Sequence, residues 1–197
     1  MNNRNQTVYR LAIDSMMASL YFVLAYFAIK IGNITITPAS ITIILVATIY
    51  SPFDAISVAL VGELINQTAK YGITITTPLW LIPVLLRAII ISIVAQIFRN
   101  HNSYLEKHKI AFYITTISAN LITTIANTAV IFLDAYIMNY PVSFALLETV
   151  LRFVSSLITS IVVTTLSLPI LKAVSKINLQ REPLKKDKIS KVKPANN

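Results

Sequence analysis

The sequence contains no cysteine and only three glycines among its 197 residues. Without thiols there is no disulfide framework, no thiolate metal site and no cysteine nucleophile. Three glycines also leave no room for a phosphate-cradling loop of the type G-x-x-x-x-G-K-[ST]. Charge is equally scarce: Asp, Glu, Lys and Arg together make up 13% of the chain, against about 25% in soluble domains. Apolar residues make up 55% and the mean hydropathy is +0.69. A soluble globule of this composition would lack the charge to cover its surface, which excludes a cytosolic enzyme and a soluble nucleic-acid binder. Acidic residues are the scarcer sign, eight against 17 basic, for a net charge of +9. In a membrane protein such an excess reports orientation and not a nucleic-acid partner.

What the sequence does have is long apolar runs. A spanning helix needs about 20 mainly apolar residues, because each adds about 1.5 Å across a hydrocarbon core of roughly 30 Å. About six segments qualify: Leu11–Ile31, Pro38–Ser51, Pro52–Ala69, Pro78–Phe98, Ile110–Tyr136 and Val142–Val174. The second is short and must be buried against its neighbours. Pro38, Pro52 and Pro78 suit first helical turns, where no backbone N–H is needed, whereas Pro169 is expected to kink or stop the last span. The expected fold is therefore an all-α membrane protein, a bundle of about six transmembrane helices forming one domain over 1–176. Residues 177–197 form a basic cytoplasmic tail, whose Lys-rich, aromatic-poor part from Gln180 is predicted to be disordered and drawn to anionic lipid. With both termini cytoplasmic, 13 Lys and Arg fall inside and two, Lys30 and Lys70, outside, while Arg87 and Arg152 lie within spans. That distribution satisfies the positive-inside rule.

Ionisable groups within hydrocarbon cost about 2.5–3.5 kcal/mol each on insertion scales, so their positions carry information. Glu63, Asn66, Gln67 and Lys70 share one helical face in the third span. The fourth carries Trp80 near its outer end and Arg87 about 13 Å deep. Asn120, Asn127 and Asp134 recur every seven residues in the fifth, with Thr123 and Thr124 between them. Glu148 and Arg152 lie one turn apart in the sixth, followed by Ser155 and Thr159. Internal salt bridges, Glu63 with Arg87 and Glu148 with Arg152, would account for some of these groups. Such pairs stabilise poorly relative to apolar packing. A polar cavity open to the outside, suited to a small hydrophilic solute, accounts for more of them.

Two external loops are near-copies: Gly32-Asn33-Ile34-Thr35-Ile36-Thr37-Pro38 and Gly72-Ile73-Thr74-Ile75-Thr76-Thr77-Pro78. Alternating β-branched residues favour extended backbone, so short extended segments, paired and capping the cavity mouth as a lid, are expected. On the first span Ala12, Ser15, Ala18 and Ser19 form a small-residue face. Such a face lets helices approach closely in lipid, either within the bundle or against a partner.

This six-helix, basic-ended pattern resembles the substrate-binding S-component of energy-coupling factor (ECF) vitamin transporters. The segment Ser51-Pro52-Phe53-Asp54 … Val61-Gly62-Glu63 resembles that family's third helix. Gly62-Glu63-Leu64-Ile65-Asn66-Gln67, Tyr71-Gly72, Thr76-Thr77-Pro78-Leu79-Trp80-Leu81-Ile82-Pro83 and Arg87 look like its pantothenate-specific branch. The resemblance implies capture of pantothenate, or a similar small vitamin, outside the cell membrane of a bacterium. It also implies docking on a transmembrane coupling protein that carries two cytoplasmic ATPases, so this chain needs no catalytic residues, cofactor or metal of its own. Ser15 and Ser19 stand at the positions of the family's Ala-x-x-x-Ala docking motif. Arg87 or Arg152 would take the carboxylate, and Asn66, Gln67, Asn120 and Asn127 the amide and hydroxyls. Trp80 would cover the apolar dimethyl group, and Glu63 would orient Arg87 or accept from a hydroxyl. Other cargoes of the family (folate, a pyrimidine precursor, a queuosine precursor) remain open. So does a stand-alone proton-coupled carrier using Glu63, Asp134 or Glu148. An intramembrane enzyme is disfavoured, since both histidines, His101 and His108, fall in a basic loop.

Overall fold

A computed structural model describes residues 3–31, 34–139 and 141–190. Among these residues, six α-helices lie where the six apolar segments are expected: α1 (Asn3–Tyr26), α2 (Ser40–Ile49), α3 (Pro52–Tyr71), α4 (Thr77–Asn100), α5 (Lys109–Ile137) and α6 (Val142–Ser190). A 3-10 turn, Leu105–Lys107, precedes α5. Segments long and apolar enough to cross a membrane occur in four helices: Thr7–Tyr26, Thr77–Asn100, Lys109–Ile137 and Thr149–Val174. α3 has the length, 20 residues, but carries Asp54, Glu63 and Lys70.

α1 ends at Tyr26 and not at Ile31, because Ile29–Ile31 is taken into a hairpin. Its strands are β1 (Ile29–Ile31) and β2 (Ile34–Ile36), antiparallel, with Ile29 opposite Ile36 and Ile31 opposite Ile34. The expectation of extended structure thus holds for the first loop, but its partner is the chain just before it. The second near-copy forms no strand; it folds into bends and turns ahead of α4. At the other end of the chain, Pro169 does not stop α6, which continues helical as far as Ser190. Its backbone is helical from Gln180 to that point. Lys and Leu are good helix formers, and the only breaker there, Pro183, removes a single backbone donor. Residues 191–197 lie outside the described residues.

α2 is too short to span alone and occupies the centre. It packs against α1, α3, α4 and α6, while α1, α3, α4, α5 and α6 follow one another side by side around it. Ile43, Ile44, Val46 and Ala47 are wholly buried, as is Thr42, and eight of its ten residues are buried in all. The buried hydroxyls return to their own helix: Thr42 donates to the Ala39 carbonyl at 2.7 Å and Thr48 to that of Ile44 at 2.7 Å. That satisfies them where no water is present.

The turn between α2 and α3 is fixed by a capping box. Asp54 N donates to Ser51 Oγ (3.3 Å) and Ser51 N to Asp54 Oδ2 (3.0 Å), with Pro52 opening the helix. Gly72 closes α3 at a positive φ of 75°, a conformation that favours glycine. Arg99, near the end of α4, donates to the Tyr50 carbonyl and anchors the end of α2.

Candidate functional site

The polar face of α3 turns inward. Glu63 and Asn66 are buried, and Gln67 is half-buried beside them. One Glu63 carboxylate oxygen, Oε2, accepts from the Tyr21 hydroxyl of α1 at 2.6 Å and from Asn66 Nδ2 at 3.2 Å. Its other oxygen accepts from Gln67 Nε2 at 2.6 Å. Tyr21 reaches it because Gly62 precedes it on α3: a Cβ at Gly62 would lie 2.6 Å from Tyr21 Cδ1. Lys70 points away from this group and donates from Nζ to the Ala25 carbonyl at 2.7 Å, tying the end of α3 to the end of α1.

Arg87 projects from α4 toward α2, where its Nη1 donates to the hydroxyl of Ser40. Glu63 and Tyr21 lie within electrostatic range of the guanidinium. No ion pair joins Glu63 to Arg87 among the described residues, so the first of the two alternative internal salt bridges does not form. Three side-chain donors already surround the Glu63 carboxylate, so it does not need the guanidinium. The other expected pair rests on the Glu148 side chain, which lies outside the described residues. Two buried polar atoms of this group have no hydrogen-bond partner among the described residues: Arg87 Nε, a donor, and Asn66 Oδ1, an acceptor.

Trp80 and Arg87 are seven residues apart on α4, so they share a face about 10.5 Å apart along the helix. Pro83 lies between them, buried, and having no N–H it leaves the Leu79 carbonyl without its usual helical donor. The Trp80 ring packs on Ile131 and Ala135 of α5 and lies under the Arg152 guanidinium of α6, 5.3 Å from centroid to guanidinium carbon. That distance is within the range of a cation–π contact. Asp134 stands one turn from Ile131, and its Oδ1 is buried without a hydrogen-bond partner among the described residues.

Asn120 belongs to a third group, the seam between α5 and α6. Its Nδ2 donates to Ser160 Oγ at 3.2 Å. On either side Thr116 accepts from Thr164 (3.0 Å) and Thr124 bonds Ser156, hydroxyl to hydroxyl. Asn127 is half-buried and makes no hydrogen bond among the described residues. The predicted residues therefore fall into three groups, with Asn127 in none of them: Glu63, Asn66, Gln67 and Arg87; Trp80 and Arg152; and Asn120 along the α5–α6 seam.

Two members of the first group are not evident from sequence. Tyr21 sits in an apolar run, and its only signal is a phenol hydroxyl that needs a partner once buried. Ser40 is one of many small hydroxyl residues and gives no signal. Of the small-residue face on α1, Ala18 is buried, whereas Ala12, Ser15 and Ser19 are exposed. The Ser15 and Ser19 hydroxyls donate to the carbonyls of Leu11 and Ser15 in their own helix. Among the described residues, no side-chain hydrogen bond joins the pair to another helix.

The family model described as the ECF transporter substrate-specific component matches residues 9–175. The chain belongs to this family. No curated protein matches it in sequence. This S-component is thus a membrane-embedded, substrate-binding subunit of a transporter and not an enzyme. Membership implies a small-molecule substrate, a transmembrane coupling protein and ATPase partners. The absence of a phosphate-cradling sequence fits that division of labour, with ATP hydrolysis left to other subunits.

Proposed function

We propose that this S-component captures pantothenate from the extracellular side of a bacterial cell membrane and passes it to a coupling protein driven by two ATPases. The observation that carries the reading is the pair of unspent polar atoms beside Glu63: a buried guanidinium N–H on Arg87 and a buried amide oxygen on Asn66. Buried polar atoms are normally satisfied, and an unpaired one costs about 1–3 kcal/mol. A ligand offering both a carboxylate and an O–H or N–H group would relieve both. Pantothenate has this combination, and the stretch Gly62–Arg87 that resembles the pantothenate branch contains both atoms.

In this reading Arg87 takes the carboxylate, Asn66 and Gln67 meet the hydroxyls and amide, and Glu63 holds their side chains in place. Trp80, backed by Ile131 and Ala135, offers an apolar face for the dimethyl group, with Arg152 behind it. Asn120 and Asn127 extend the polar surface toward α6. The hairpin packs against α6 through β2 and is the element that caps the outward-facing cavity. Both termini lie in the cytoplasm, and the exposed Ser15 and Ser19 face receives the coupling protein.

Native mass spectrometry of gently purified protein tests the cargo. The expected result is a bound species of the mass of pantothenate, or its appearance on adding the vitamin. A different bound vitamin, or no complex at saturating pantothenate, would reject the assignment.

A further inference from the structure

The loop between α3 and α4 differs from its near-copy in what it does with its side chains. Ile73 and Ile75 are 84% and 82% exposed. The threonines beside them bond among themselves. Thr74 N donates to Thr77 Oγ1 at 2.8 Å, Thr77 N to the Thr74 carbonyl at 3.1 Å, and the Thr74 hydroxyl lies 3.2 Å from that of Thr76 and 3.0 Å from that of Thr77. The threonine hydroxyls thus bond one another, and the loop turns two isoleucines outward. Such exposure means that they cover nothing of the protein interior.

Their surroundings are apolar and aromatic. Tyr71, just before the loop, is 70% exposed. The Lys70–Ala25 hydrogen bond brings the end of α1 to the same end of the molecule, where Phe27 is 71% exposed. The loop leads directly into Thr77, the first residue of a helix long and apolar enough to cross the membrane. Single exposed apolar residues are ordinary. Two of them on one short loop, at a span end and near exposed aromatics, match the chemistry of the membrane interface. There tyrosines settle at headgroup level, and apolar side chains reach the boundary with the acyl chains.

We propose that Ile73 and Ile75 insert into lipid at the boundary of headgroups and acyl chains, so that the α3–α4 loop is a membrane anchor. The near-copies then have different tasks: the hairpin packs on protein, and the second loop packs on the bilayer. The inference depends on neither the identity of the cargo nor the location of its site.

The chain's lack of cysteine allows a direct test. Ile73→Cys, Ile75→Cys and, as a control in an exposed turn, His101→Cys each receive a polarity-sensitive fluorophore. The full-length proteins are then placed in nanodiscs of phosphatidylcholine and phosphatidylglycerol. Unchanged far-ultraviolet circular dichroism and thermal unfolding verify the fold of each labelled protein. The expected result at positions 73 and 75 is blue-shifted emission, quenched several-fold more by lipids spin-labelled high on the acyl chain than at position 101, with weak quenching by aqueous iodide. Iodide quenching equal to that at position 101 would overturn the proposal. So would shielding from both quenchers, which would place the loop against protein.

Discussion

At Gly62 the absence of a side chain decides whether Tyr21 can reach Glu63. A methyl group there would meet Tyr21 Cδ1 at 2.6 Å and Cγ at 2.9 Å, closer than real Cβ atoms approach. Gly62→Ala should therefore destabilise the protein by about 1–3 kcal/mol, the usual cost of overpacking. Thermal unfolding in detergent measures it. The loss should shrink when Tyr21→Ala is added, since the clash and its relief share one site. If the two changes simply add, the contact is not the cause. Tyr21→Phe tests the polar half of the same contact. It keeps the ring but removes a 2.6 Å bond to a carboxylate, with an expected cost of about 1.5–3 kcal/mol. Unfolding temperatures indistinguishable from those of the parent protein would show that Asn66 and Gln67 suffice for Glu63.

At the scale of elements, the α5–α6 seam is held by hydroxyl and amide contacts at steps of one helical turn. Antiparallel helices bring Thr116, Asn120 and Thr124 opposite Thr164, Ser160 and Ser156. In a bilayer, apolar side chains gain little by leaving lipid for one another, so such bonds matter, yet each averages only about 0.6 kcal/mol. Ser160→Ala should lower stability by no more than about 1–2 kcal/mol, because it removes a single bond of this kind. Complete unfolding of the seam on this single change would mean that the contacts act as one unit.

Elements also show what could be read in advance. The apolar runs located all six helices, because length and composition alone decide what can lie in hydrocarbon. The Ile/Thr alternation correctly suggested a strand at Ile34–Ile36, but the same pattern at Ile73–Thr76 formed none. The difference is the preceding chain. Ile29–Ile31 supplies a β-branched partner across a two-residue connection, whereas Ile73 follows directly on α3 and Gly72. With no free segment to pair with, the second stretch bonds through its threonines. Within the site, the face Glu63-Asn66-Gln67 was legible from helical spacing. Tyr21 and Ser40 were not, since they lie 42 residues before Glu63 and 47 before Arg87, and nothing local marks such long-range pairing. The Glu63–Arg87 ion pair failed for the same reason. Opposite charges at similar depth suggested it, while a distant tyrosine had already taken one carboxylate oxygen.

For the whole molecule, membership in the ECF substrate-specific family separates binding from transport. Purified protein should bind its vitamin alone, but reconstituted vesicles should take up the vitamin only when the coupling protein and both ATPases are present with ATP. Uptake by the isolated chain under a proton gradient would instead support a stand-alone carrier. The central claim, that groups normally excluded from hydrocarbon are kept to hold an anionic nutrient, comes down to Arg87. The most direct measurement is a titration of the parent protein and Arg87→Ala with pantothenate and with its alcohol analogue, followed through Trp80 fluorescence. Losing one partner of a desolvated charge pair costs about 2–5 kcal/mol, so the acid should bind roughly 30- to 5,000-fold more weakly to the variant while the alcohol changes little. Equal weakening for both ligands would contradict the account and leave Arg87 with a structural task alone.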